Sequence, residues 1–142
     1  MPGRPHSVTP GSHVGGKTLH KILIADDEHN IRHILDFSLH AEGFNVVAAA
    51  NGEEAVTLAL AEEPDLILLD RMMPGQDGVE TCRLLKNDDR TKHIPVVLLT
   101  AKGSYEDREE GKAAGADEYI TKPFSPQRVI NLVQDFLGVT SE

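Results

Sequence analysis

The sequence predicts an α/β protein, doubly wound, with a five-stranded parallel sheet at the centre of a three-layer sandwich. Three observations predict it. Short apolar runs alternate five times with segments of helical period. The run "LILL", Leu66 to Leu69, is apolar at consecutive positions, which suits a strand covered on both faces. Strands alternating with helices imply parallel pairing through right-handed crossovers, and 142 residues suffice for one such domain.

Residues Met1 to about Thr18 carry no hydrophobic period and many chain breakers, so 1–18 is expected to be a disordered extension, 19–138 the domain and 139–142 a short tail. "KILIA" from Lys21 is the first strand. Ile31, Ile34, Leu35 and Leu39 then share a helical face that Gly43 stops. "NVVAAA" is the second strand, and Glu53–Glu63 a helix halted before Pro64. The run ending at Asp70 is the third strand; it breaks into a Pro74-Gly75 turn before a helix over Asp77–Asn87. "IPVVLLT" gives the fourth strand, Tyr105–Ala114 a weak helix and "EYIT" the fifth strand. The last helix has Ser125 as cap and Pro126 in its first turn, with Val129, Val133, Phe136 and Leu137 on one face.

The formal net charge is −9 and no Lys/Arg cluster stands out, which argues against nucleic acid as a direct partner. A single cysteine, Cys82, forbids an internal disulfide and suits a reducing cytoplasm. The apolar runs are too short to cross a bilayer, and the N-terminus lacks the apolar stretch of a secretory signal.

In open parallel sheets the functional crevice lies beyond the carboxyl ends of the strands. The residues delivered there are Asp26 and Asp27, Asp70, Thr100 and Lys122. Three carboxylates, a hydroxyl and an amine at one rim call for a common chemistry. Acids alone at the start of a helix would favour its dipole, but that explains Asp26, Asp27 and Glu28 and leaves Asp70 unaccounted for.

Taken in order, "ADDE", the Asp70 of "LLDRMMPGQDG", "LLTAK" and "YITKPF" resemble the receiver domains of bacterial two-component response regulators, from about Leu19 to Gly138. The resemblance implies a flavodoxin-like sheet of order 2-1-3-4-5, which sets strands one and three side by side. Clustered carboxylates there suit a hard divalent cation such as Mg2+. By the resemblance, Asp27 and Asp70 are direct ligands, Asp26 acts mainly through water and Met72 supplies its backbone carbonyl. Asp70 would be the phosphorylated nucleophile, with Lys122, Thr100 and the Ala101 amide contacting phosphoryl oxygens. Thr100 and Tyr119 would be the switch pair, and Lys122-Pro123 a cis peptide bond. The implied phosphoryl donor is a sensor histidine kinase or a histidine phosphotransfer protein. The implied output is a protein bound through the face of helix four, strand five and helix five, or a phosphorylation-dependent dimer. The domain would then be a stand-alone cytoplasmic switch rather than a classical enzyme. The competing reading is an aspartate-nucleophile phosphatase, which by its own family pattern needs a second aspartate where Met72 stands.

"GSHVGGKT", Gly11 to Thr18, fits a phosphate-loop pattern, but polar residues precede it and a strand follows, the reverse of what such a loop needs. A flavin site is disfavoured because Asp26-Asp27-Glu28 would repel a bare phosphate. His29 and His33 stand four apart on the polar flank of a helix and read as a solvated face, and Cys82 reads as core.

Overall fold

The computed structural model describes residues 13–14, 17–73, 75–101 and 105–139. Pro74 of the expected turn, Lys102, Gly103, most of the expected N-terminal extension and the last three residues lie outside the described residues.

Five strands, β1 (Lys21–Ala25), β2 (Asn45–Ala49), β3 (Leu66–Asp70), β4 (Val96–Thr100) and β5 (Glu118–Thr121), form one parallel sheet of order β2-β1-β3-β4-β5. The helices are α1 (His29–Ala41), α2 (Gly52–Glu62), α3 (Gly78–Lys86), α4 (Tyr105–Ala113) and α5 (Pro126–Leu137). This is the doubly wound sandwich the sequence predicts. Ahead of it, His13–Val14 and Lys17–Thr18 pair as a two-residue antiparallel ladder, and the chain then enters β1 rather than the helix a phosphate loop requires.

Alternation of side chains across the strands divides the core in two. Leu23, Ile67, Leu69 and Val96 pack with Ala55, Ala59, Cys82 and Leu85 of α2 and α3. Ile22, Ile24, Leu66 and Leu68 pack with Leu35 and Leu39 of α1 and Val129 and Val133 of α5. Every residue of β3 and β4 is buried, as the uninterrupted apolar runs predicted.

Two helical faces are narrower than the sequence suggested. On α1 only Leu35 and Leu39 are buried, while Ile34 is 46% exposed. On α5 Val129, Ile130 and Val133 are buried, and Phe136 is 38% exposed. Both helices lie side by side on one sheet face, so each gives only a narrow stripe to the core. Caps end the elements where the chain chemistry directs. Asn51, Asp77 and Ser125 accept from the amides of Glu54, Glu80 and Arg128, and Gly138 closes α5 in the left-handed region at φ 68°. Among the described residues no helix is long and apolar enough to cross a membrane.

Candidate functional site

Parallel strands present their carboxyl ends on the same rim, and the register fixes which residues meet there. The Asp26 amide continues the β1–β2 ladder by donating to the Ala49 carbonyl at 3.1 Å. Asp70 lies opposite Leu99, and Thr100 opposite Thr121, one residue before Lys122. The Lys122 amide donates to the Thr100 carbonyl at 2.7 Å, tying the two strand ends together just before the cis Lys122-Pro123 bond.

Asp26, Asp27 and Asp70 each bring one carboxylate oxygen into a group whose members all lie within 4.8 Å of one another. Asp26 and Asp70 are buried, and Asp27 is exposed. The Lys122 ammonium lies 3.2 Å from Asp70 Oδ1, 3.3 Å from Asp26 Oδ2 and 3.3 Å from Glu28 Oε1. The backbone fixes two of these acids further. The Glu28 amide donates to Asp26 Oδ1 at 2.8 Å and the Met72 amide to Asp70 Oδ1 at 3.3 Å. Arg32 reaches back from α1 to donate to the Asp26 carbonyl at 2.7 Å.

The electrostatics follow from this crowding. Burial lifts the Asp70 carboxyl, the Asp26 charge lifts it further, and Lys122 and the Met72 amide only partly offset them, leaving it at about 7. Burial works against the Lys122 charge, but Asp26 and Asp70 outweigh it and hold its pKa above the ordinary lysine range. An all-oxygen donor set with excess negative charge fits a hard divalent cation. Thiolate- and imidazole-seeking ions find no soft ligand in this group.

Of the remaining predicted residues, Thr100 is buried and Ala101 exposed beside it. Met72 is 65% exposed, and its amide reaches Asp70 Oδ1. Tyr119 is half-buried, with the Arg108 guanidinium 4.6 Å from its ring centre. Cys82 is fully buried with its thiol pushed up to about 11, chiefly by burial, and is core. His29 and His33 stack at 6.3 Å on an exposed flank. Two contacts had no sequence signal of their own. Glu28, which reads as a helix-starting acid, points to Lys122, and Arg71 pairs with Glu110 of α4.

Fold and site together define a doubly wound α/β domain whose carboxyl rim gathers three acids against one lysine. The family model for the response regulator receiver domain matches residues 22–134, and the chain belongs to that family. It is 45% identical over 122 residues to the transcriptional regulatory protein ResD of Bacillus subtilis, covering 86% of this chain and 50% of that protein. The chain thus spans about half the length of the curated relatives it matches. The chemotaxis protein CheY4 of Vibrio cholerae superposes with a TM-score of 0.80 at 33% identity, over 84% of this chain and 99% of that one. The receiver domain of the sensor histidine kinase PA1611 from Pseudomonas aeruginosa, solved with a magnesium ion in its active-site cleft, gives 0.78 at 28% identity, over 85% and 99%. The chain is a receiver domain of two-component signalling.

Proposed function

We propose that Asp70 is the phosphoryl acceptor of this receiver and that its modification switches a protein-binding face. The observation carrying the reading is the meeting of three carboxylates within 4.8 Å, with Lys122 3.2 Å from Asp70. Asp27, Asp70 and the Met72 carbonyl would hold Mg2+, with Asp26 acting mainly through water; the oxygen-only donor set supports that ion, and the PA1611 receiver carries it in its cleft. When bound, Mg2+ supplies charge neutralisation for the phosphoryl oxygens.

The chain's own groups do the rest. An Asp70 carboxylate oxygen attacks phosphorus in line. The new O–P bond forms as the P–N bond of a phosphohistidine breaks, and the imidazole leaves with the electron pair and takes a proton from water. With a small acyl phosphate the P–O bond breaks instead, and a carboxylate leaves. Lys122, the Thr100 hydroxyl and the Ala101 amide receive the three phosphoryl oxygens. Thr100 moves toward the new charge, and Tyr119 follows into the space it vacates. The donor is a sensor histidine kinase or histidine phosphotransfer protein. The reader is a partner, or a second copy, docking on α4, β5 and α5 in the cytoplasm. The product is a modified protein rather than a released metabolite, so the domain is not an enzyme in the ordinary sense.

Incubation with Mg2+ and an acyl phosphate tests this. One phosphoryl group per chain on Asp70, absent in Asp70→Asn, is the expected result. Sustained multiple turnover without accumulated label would instead identify a phosphatase.

A further inference from the structure

We propose that Glu28 is a positioning residue that competes with incoming phosphate for the Lys122 ammonium and so slows phosphorylation of Asp70; this rests on the reading of Asp70 as acceptor. An ammonium has three N–H donors. Three carboxylates, from Asp26, Asp70 and Glu28, lie at 3.2–3.3 Å from it. A phosphoryl oxygen can therefore take a donor from Lys122 only by displacing one of them.

The three do not yield equally. Asp26 and Asp70 are buried, and stripping the cation from either leaves a poorly hydrated charge behind. The Glu28 side chain is 60% exposed and water can take it back at small cost. Glu28 is the one that gives way.

A separate feature of the helix start agrees. Glu28 occupies the N-cap of α1, yet its side chain makes no capping hydrogen bond. Its main chain is fixed nonetheless, the amide donating to Asp26 Oδ1 at 2.8 Å and the carbonyl accepting from the Arg32 amide at 3.1 Å. The backbone is anchored while the carboxylate alone can swing between Lys122 and water.

The test uses the full chain with Mg2+ and acetyl phosphate, timing label on Asp70 in the parent, Glu28→Gln, Lys122→Met and the double variant. Glutamine keeps the length and removes the charge. Labelling should quicken by about two- to fivefold in Glu28→Gln, the range of a partly exposed ion pair. The gain should vanish in the Lys122→Met background. Where that background labels too slowly to time, calorimetric affinities for beryllium trifluoride complete the cycle, with the same pattern expected. Equal rates in parent and Glu28→Gln overturn the proposal. So does an equal gain with and without Lys122, since Glu28 would then merely repel the donor. A parent that takes no label at all defeats the acceptor reading and the proposal together, whereas normal labelling with no Glu28 effect defeats the proposal alone.

Discussion

Asp70 keeps its proton up to about pH 7 because it is buried beside Asp26, whereas in the unfolded chain it titrates in the ordinary aspartate range. Between about pH 4 and 7 the native state therefore binds more protons than the unfolded state, so this group's contribution to stability falls as pH rises. Without Mg2+, the parent should lose stability across that window relative to Asp70→Asn; parallel urea-denaturation midpoints for the two proteins would contradict it. Met72 supports a second prediction at this scale. Its exposed thioether at the rim is a poor partner for an attacking water, so the aspartyl phosphate of Met72→Asn should decay severalfold faster than that of the parent. Chase of radiolabelled protein after donor removal reads this directly. At the residue scale, the acids, Thr100 and Lys122 were legible because strand ends place them on one rim. The tie between Glu28 and Lys122 was not, because the two are 94 positions apart and only the assembled sheet brings them together.

The elements that hold the site differ in how much they can give. Gly78 opens α3 directly against β3. A Cβ there would fall 2.2 Å from the Asp70 carbonyl oxygen and 2.7 Å from the Arg71 Cα, both backbone atoms that cannot rotate away. Gly78→Ala should cost about 1–3 kcal/mol of stability, an overpacking cost. It should also slow labelling of Asp70, since relief requires moving the strand end. A Tm and labelling rate equal to the parent's would refute this. α4 sits at the other extreme. Among residues 108–113 only Gly111 is buried, and the Arg71–Glu110 ion pair ties the helix to the end of β3. Its amides should exchange with deuterium well before those of β3 and β4. Element identity was readable from Lys21 onward, because period and caps agree, whereas the short ladder of His13–Val14 with Lys17–Thr18 lies in a stretch expected to be disordered and has no hydrophobic period to announce it. The widths of the α1 and α5 faces were not. Periodicity counts apolar positions, whereas burial of Ile34 or Phe136 depends on which neighbour covers that flank.

For the molecule as a whole, the parallel sheet brings three acids together at its rim, where a bound cation would balance them. Mg2+ at about 100 times its Kd should add roughly 2.7 kcal/mol, enough to raise Tm by several degrees in a domain of this size. Asp27→Asn should stabilise the metal-free protein and lose that response. The layer architecture followed from the alternation of strand and helix, and the order of strands from the resemblance that the site motifs carry. The most direct test of the account is calorimetric titration of Mg2+ into the parent and Asp27→Asn at pH 8, where Asp70 is ionised. One saturable site in the parent, lost or strongly weakened in the variant, is the predicted result. No uptake by the parent, or equal uptake by both, would contradict it.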